Sequence, residues 1–290
     1  MTTLVQIDGQ IVAPDRATVS VFDRGFLYGD SVFETIRTYG GRPFALDEHL
    51  KRLEHSAGLV YIELPVTLQQ LRRETLLAVS QAGNPESYVR LMVTRGQGEL
   101  GLDPALAGVA RRVIIVSELH PLPPRWYEVG ARAVSFRTQR AHDATPAQGA
   151  KIGNYLVAVL AMREAKKSGA LEALVVNAEG RVVEGATSNV FYLKAGTLMT
   201  PPLDSGILPG ITREHVLGAA QSLGCPVRFA CPRLEELQAA DEVFVSSSIR
   251  ELLPIVEIDG QQIGAGRPGA VTRQLHAEFR RQLDASMEQP

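Results

Sequence analysis

HPLPPRWY, residues 120–127, places three prolines in eight positions, and this cluster limits the fold more than any other stretch. Proline fixes φ and has no backbone donor, so such a run can continue neither a helix nor a central strand. It reads as a connection, and it divides the 290 residues into a shorter first part and a longer second part. The same alternation recurs on both sides: β-like runs broken by glycine turns, interleaved with helical patterns. A chain of this length buries one large core or two moderate ones. The expectation is an α/β (α+β) fold in two domains of unequal size: residues 1–120, a linker over 121–130, and residues 131–290.

In the first part, LVQIDGQIV turns at Asp8-Gly9, and SVFETIRTY runs into Gly40-Gly41. Asp47 is placed to cap a helix whose apolar residues Leu46, Leu50, Leu53 and Ala57 fall at helical spacing. A second helix runs from about Thr67 to Ala82 and stops at Gly83 and Pro85. YVRLMVTRG and RRVIIVSEL read as strands separated by the glycine-rich GQGELGLDP. In the second part, ARAVSFRTQ reads as a strand, followed by the loop RAHDATPAQGA and a helix in KIGNYLVAVLAMREAKKSG anchored by Leu156 and Leu160. Hairpins are expected around Asn177 to Gly180 and at Ala195-Gly196. LPGITREHVLGAAQSLG is a helix between a Pro-Gly turn and Gly224, DEVFVSSSIRELLPIVEIDG returns to strands, and a final helix covers about Ala270 to Asp284.

Charge excludes several functions. The formal net charge is −2, with both signs interspersed, so there is no basic surface for nucleic acid or an anionic membrane. No apolar run approaches the roughly 20 residues that span a bilayer. MTTLVQIDGQIVAPDR has neither a basic n-region nor an apolar h-region. Cys225 and Cys231 read as reduced thiols rather than a disulfide or a metal pair. The expectation is a cytoplasmic protein without a metal centre.

Some residues can carry chemistry. Lys151 stands just outside its helix, either as a solvated loop lysine or as a nucleophile for a carbonyl. Glu184 ends a strand beside Gly185 and Ala186, where a carboxylate can bond a cation or simply face solvent. Gly210-Ile211-Thr212 opens a helix, and its N–H groups with the threonine hydroxyl form either an anion site or an ordinary helix start. Arg52, on DEHLKRL, suits phosphate oxygens or is a solvated helix arginine. His49, one turn earlier, reads as a local hydrogen-bond partner, since no second metal ligand stands at useful spacing. Ser246, Ser247 and Ser248 can supply hydroxyl donors or form a plain turn. Together, a lysine, a strand-end carboxylate, a phosphate cradle and an arginine are the groups that pyridoxal 5'-phosphate requires.

The segment from Glu184 through Arg213, with EGATSNVFY, LMT and LPGITR, resembles the pattern of the class IV (fold-type IV) pyridoxal-phosphate-dependent aminotransferases. The resemblance extends to RGFLYGDSVFETIR, FALDEHLKRL and SSSIRELLPI. It implies a small N-terminal α/β domain, a larger C-terminal pseudo-barrel domain that binds the cofactor, and a homodimer. It also implies a Schiff base on Lys151, with Glu184 at the pyridine nitrogen and Tyr155 near a cofactor oxygen. Arg52, Ile211, Thr212 and Ser248 would hold the phosphate.

Within that family, YGDSVFE is similar to the branched-chain group, with Tyr28 and Phe33 on its pocket positions. YVRLMVTRGQGELGLDP lies over that group's loop without gaps and puts Tyr88, Arg90 and Leu102 at substrate contacts. The reaction so implied moves an amino group between an aliphatic or branched-chain amino acid and a 2-oxo acid such as 2-oxoglutarate. The Arg-x-His carboxylate trap of the bacillary D-amino acid enzymes is absent, since TRG is followed by Gln97-Gly98-Glu99. Two departures stand out: Arg95, where the branched-chain group usually has no charge, and Arg250, where it usually has a small residue. These guanidinium groups favour acidic substrates, Arg250 as a substrate contact, change the stereochemical preference, or pair with Glu251 or Glu99 outside the pocket. D-amino acid transaminase, (R)-amine transaminase and aminodeoxychorismate lyase are the alternatives within the family. A cofactor-free binding protein would lack Lys151 or Glu184, and both are present.

Overall fold

The computed structural model describes residues 3–138 and 147–288, so most of the loop RAHDATPAQGA lies outside the described residues. The chain forms two compact units, Met1–His120 with Ala150–Tyr155, and Pro121–Gly149 with Leu156–Pro290. Ala150–Tyr155 therefore belongs to the first unit, although the proline cluster by itself assigns it to the second.

In the first unit, β1 (Leu4–Ile7) and β2 (Gln10–Val12) join through Asp8 and Gly9, both at positive φ. Next come α1 (Arg24–Tyr28), β3 (Ser31–Tyr39), β4 (Arg42–Pro43), α2 (Leu46–Leu59), α3 (Leu68–Ala82), β5 (Ser87–Thr94) and β6 (Arg111–Glu118). The six strands form an antiparallel sheet in the order β2-β1-β6-β5-β3-β4. Leu50, Leu53, Leu71 and Val79 of the helices bury against Ile36, Val89, Leu91 and Ile114 of the sheet. Each such side chain contributes roughly 1.5–3 kcal/mol on burial. Asp47 is not the cap of α2. Burial of Leu46 carries the helix past it, so Ala45 (φ 50°) takes the N-cap position and Asp47 pairs with Arg72 at 3.0 Å. Thr67 caps α3, accepting the Gln70 N–H at 3.2 Å, and Gly83 ends that helix in the left-handed region, as its sequence position implies.

The second unit contains α4 (Arg125–Val129), β7 (Ala131–Arg137), α5 (Leu156–Lys167), β8 (Glu172–Val176), β9 (Val182–Gly185), β10 (Asn189–Lys194) and β11 (Thr197–Thr200). It continues with α6 (Ile211–Ser222), β12 (Val227–Phe229), α7 (Leu234–Gln238), β13 (Glu242–Ser247), β14 (Glu251–Ile258), β15 (Gln261–Gln262) and α8 (Ala270–Glu288). The mixed sheet runs β12-β11-β10-β13-β14-β7-β8-β9, with β15 on β14. β9 ends that order, yet a turn closed by Gly185 N–H to Ser188 O at 2.7 Å returns the chain directly to β10. The path from β10 round to β9 therefore curls into a half-barrel.

Residues 121–130 do not hang free: Leu122, Trp126 and Tyr127 pack on the core of this unit. The expected anchors of α5 are also reversed. Leu156 is 65% and Leu160 44% exposed, while Ala161 and Ala165 are fully buried. Alanines one turn apart let α5 lie close on Val134, Phe136 and Ala173, and the larger residues face outward. Cys225 and Cys231 are free thiols.

Candidate active site

Lys151 is mounted on β3. The free edge of that strand takes up residues 151–153 as a short antiparallel partner, with Val32 opposite Ile152. Phe33 N–H donates to Lys151 O at 3.0 Å, and Gly153 N–H donates to Ser31 O at 2.8 Å. The Lys151 N–H donates to Ser56 Oγ of α2 at 3.1 Å. Gly153 is required for this approach, because a Cβ there would lie 2.1 Å from Ser31 Oγ. The amine then points along the side chains: Nζ donates to Tyr155 Oη at 3.1 Å and lies 4.7 Å from the Phe33 ring centroid. The Tyr155 ring meets Phe33 edge-on at 5.0 Å.

Strand alternation sorts the neighbouring residues. Phe33, Tyr88 and Arg90 occupy one face of the β3–β5 pair, since Thr35 faces Arg90 and Arg37 faces Tyr88 in register. The Arg90 guanidinium carbon sits 3.9 Å from the Phe33 centroid, with Nε 3.2 Å from Met92 Sδ. Val32, Glu34 and Ile36 fall on the opposite face, toward α2. There Arg52 holds Glu34 at two points, Nε at 2.8 Å and Nη2 at 2.6 Å, and His49 Nδ1 lies 2.7 Å from the same carboxylate. Burial pushes the Glu34 carboxyl up, but Arg52 and His49 together outweigh it and hold the group at about 2. Burial, helped by the Arg52 and Lys151 charges, pushes His49 below its ordinary 6.5 despite the opposing pull of Glu34. The neutral ring donates Nδ1–H to Glu34, the local role expected of it.

A carboxylate hub fixes the segment carrying Leu102. Asp30 accepts Arg24 Nε at 3.1 Å and Arg95 Nε at 2.7 Å. Arg24 also donates to the carbonyls of Gly101 and Leu102, and the Gly101 N–H donates to Tyr28 Oη at 3.1 Å. Arg95 reaches the carbonyls of Val60 and Tyr61. It is thus a strut to Asp30 rather than a partner of Glu99. Leu102 itself is 79% exposed.

In the second unit, Glu184 and the start of α6 are joined by Leu208, whose N–H donates to Glu184 Oε2 at 3.2 Å. Asn189 Nδ2 holds the Leu208 carbonyl at 3.0 Å. Gly210 is the N-cap of α6 with no side-chain cap, and a Cβ on it would meet Asn189 Oδ1 at 2.0 Å. The backbone N–H groups of a helix start lack intrahelical partners, and Ile211 and Thr212 supply the first of them here. Ser248 lies in the turn that follows β13, beside Ser247, whose Oγ accepts the Arg250 N–H at 3.3 Å. Arg250 follows in the same turn, and its guanidinium meets a carboxylate of β8. Its Nη2 lies 2.5 Å from Glu172 Oε2, and Glu251 pairs instead with His276 and Arg280.

Glu34, Asp30 and Glu172 were not singled out from sequence. Glu34 did leave a signal: it occupies an inward position between Val32 and Ile36, and a charge there must be paired. Asp30 and Glu172 left none, because Arg95 and Arg250, their long-range partners, lie 65 and 78 positions away.

The Lys151 amine thus lies between a phenol and an aromatic ring, 3.1 Å from Tyr155 Oη and 4.7 Å from the Phe33 centroid. The sequence matches the amino-transferase class IV family over residues 31–258, and the chain belongs to that family. A Methanocaldococcus jannaschii protein, named provisionally as a branched-chain-amino-acid aminotransferase, is 38% identical over 276 residues, 95% of each chain. A D-alanine aminotransferase of Listeria monocytogenes is 34% identical over 284 residues, 95% of this chain and 94% of the relative. The structure of a T.th. branched-chain amino acid aminotransferase with pyridoxamine 5'-phosphate matches with a TM-score of 0.89 at 31% identity, covering 97% of this chain and 94% of that one.

Proposed function

We propose that this aminotransferase uses pyridoxal 5'-phosphate to move an amino group between an aliphatic or branched-chain amino acid and a 2-oxo acid such as 2-oxoglutarate. The observation that carries the reading is the placement of Lys151, paired through its backbone to β3 with Nζ 3.1 Å from Tyr155 Oη. The residues present fit the cofactor: α6 starts without a side-chain cap, and the tight Gly210–Asn189 approach leaves backbone rather than side chain at that helix end. The T.th. relative was solved with the amine form of the same cofactor.

When bound, pyridoxal phosphate supplies an aldehyde that takes up the amino group and a ring that accepts the electron pair released at the substrate Cα. Lys151 would hold that group through its amine and, when free, would carry a proton between the substrate Cα and the cofactor. Tyr155 orients Nζ. Glu184 keeps a proton on the ring nitrogen. Arg52, Ile211, Thr212 and Ser248 hold the phosphate. Arg90 draws the substrate carboxylate toward the face that carries Phe33 and Tyr88, and Tyr28 and Leu102 border the side-chain end. Exposed Leu156, Val159 and Leu160 on α5 offer a second copy of the chain an apolar surface for a homodimer. No helix among the described residues is long and apolar enough to cross a membrane, and free thiols with balanced charge favour a cytoplasmic setting.

The test is a visible spectrum of the protein reconstituted with pyridoxal phosphate. Wild type should show the absorption of lysine-linked cofactor and lose it on adding L-leucine, while Lys151→Ala should show neither that absorption nor turnover. Wild-type rates in Lys151→Ala would sink the assignment. The likeness to a D-alanine aminotransferase favours one second reading, a D-donor, which bleaching by D-alanine and not L-leucine would establish. Pyruvate release from aminodeoxychorismate without an acceptor would instead support the lyase.

A further inference from the structure

We propose that Arg250 is a positioning residue rather than a substrate contact. With Glu172 and Tyr127 it locks the turn Ser247–Glu251 onto the segment Gly185–Ser188. This rests on the proposed function, under which those two segments adjoin Ser248, a phosphate ligand, and Glu184, the partner of the ring nitrogen.

Glu172 lies on β8 and is fully buried, so its carboxylate needs donors on every side. It has four. The Ala173 N–H donates to Oε1 at 2.9 Å, while Ser188 Oγ at 2.7 Å, Thr187 Oγ1 at 3.2 Å and Arg250 Nη2 at 2.5 Å share Oε2. Two of those donors belong to the turn that follows Glu184. Gly185 is folded so closely onto this point that a Cβ would stand 2.2 Å from Ser188 Oγ and 3.1 Å from the Glu172 carboxyl carbon.

The other end of the clamp is equally determined. Arg250 Nη1 donates to Leu171 O at 3.2 Å, and Nη2 also donates to Thr187 Oγ1. The Arg250 N–H is held by Ser247 Oγ, and its carbonyl accepts Tyr127 Oη at 3.0 Å. The next residue, Glu251, sits at φ 53°, in the left-handed region, with its carboxylate fixed by His276 and Arg280 at 2.7 Å each. A non-glycine residue stays in that region only where its surroundings over-determine it. The guanidinium therefore ties one loop to the other through Glu172. Losing it frees both ends together, and its Nη2 is already taken by Glu172 and Thr187.

The experiment compares wild type, Arg250→Met, Arg250→Lys and Glu172→Gln. The readouts are the dissociation constant of pyridoxal phosphate, the protection that inorganic phosphate gives the apo-protein against thermal unfolding, and KM for 2-oxoglutarate against 4-methyl-2-oxopentanoate. Arg250→Met and Glu172→Gln should each weaken cofactor binding about 10- to 100-fold, by analogy with the metal affinity lost when the partners of metal-ligating side chains are removed. Phosphate protection should fall with it, Arg250→Lys should recover part of both, and the ratio of the two KM values should stay within about twofold of wild type. Wild-type cofactor affinity in Arg250→Met, with KM rising for 2-oxoglutarate alone, would overturn the proposal and make Arg250 a substrate contact. If Arg250→Met fails to fold, Tyr127→Phe removes only the hydroxyl that holds the Arg250 carbonyl. It should weaken cofactor binding in the same direction, and an unchanged constant would count against the clamp. Failure of wild type to bind the cofactor would remove the functional reading alone, and the phosphate arm would then decide this one.

Discussion

Glu34 and Arg52 form a two-point ion pair on the helix-facing side of β3, with oxygens 2.8 Å and 2.6 Å from Nε and Nη2. The arginine proposed to hold phosphate is thus aimed by a buried acid. Glu34→Gln should leave Arg52 buried and uncompensated, at a cost of about 3–5 kcal/mol, read from urea unfolding at neutral pH. The folded carboxyl is held at about 2, below its ordinary 4.5. Its contribution is therefore complete above pH 4.5 and lost as pH falls toward 2. Glu34→Gln should flatten the acid limb in that window, and an unchanged limb would refute the pairing.

His49 titrates in the opposite chemical sense with the same direction of effect. Its folded pKa lies below 6.5, so the unfolded chain takes up a proton first as pH falls. Stability should decline as pH drops below 6.5. His49→Gln should reduce that slope. An equal slope in the variant would assign the effect to other groups.

Asp30 supports two arginines that hold carbonyls of separate segments, Gly101-Leu102 through Arg24 and Val60-Tyr61 through Arg95. Asp30→Asn should destabilise the protein by about 1–3 kcal/mol. It should raise KM for the amino donor while leaving the cofactor absorption intact. A lost cofactor band with unchanged KM would contradict the role given to this hub.

Gly153→Ala puts a methyl 2.1 Å from Ser31 Oγ and should push the Lys151 segment off β3. A shift of about 1 Å at a reacting group costs on the order of 10²-fold in rate, so kcat should fall by about that factor. Adding Ser31→Ala removes the clashing oxygen and should restore most of the activity. A double variant as slow as the single one would show that the edge pairing does not set the lysine.

Local chemistry determined much of this molecule from sequence alone. The turns at Asp8-Gly9 and Ala195-Gly196, the end of α3 at Gly83 and the opening of α6 at Gly210 depend on residues within a few positions of one another. The family motif from Glu184 to Arg213 likewise lies in one stretch. Tertiary structure decided what depends on distant partners. It put Lys151 on the edge of β3, more than a hundred residues earlier in the chain, and brought Arg250 to Glu172 across 78 positions. It also turned Leu156 and Leu160 outward, since the close approach of α5 to its sheet favours the alanines. A strand edge accepts any backbone of suitable register, and a buried carboxylate accepts any donor that packing brings to it. Such pairings leave no periodic trace, so only the folded chain selects among them.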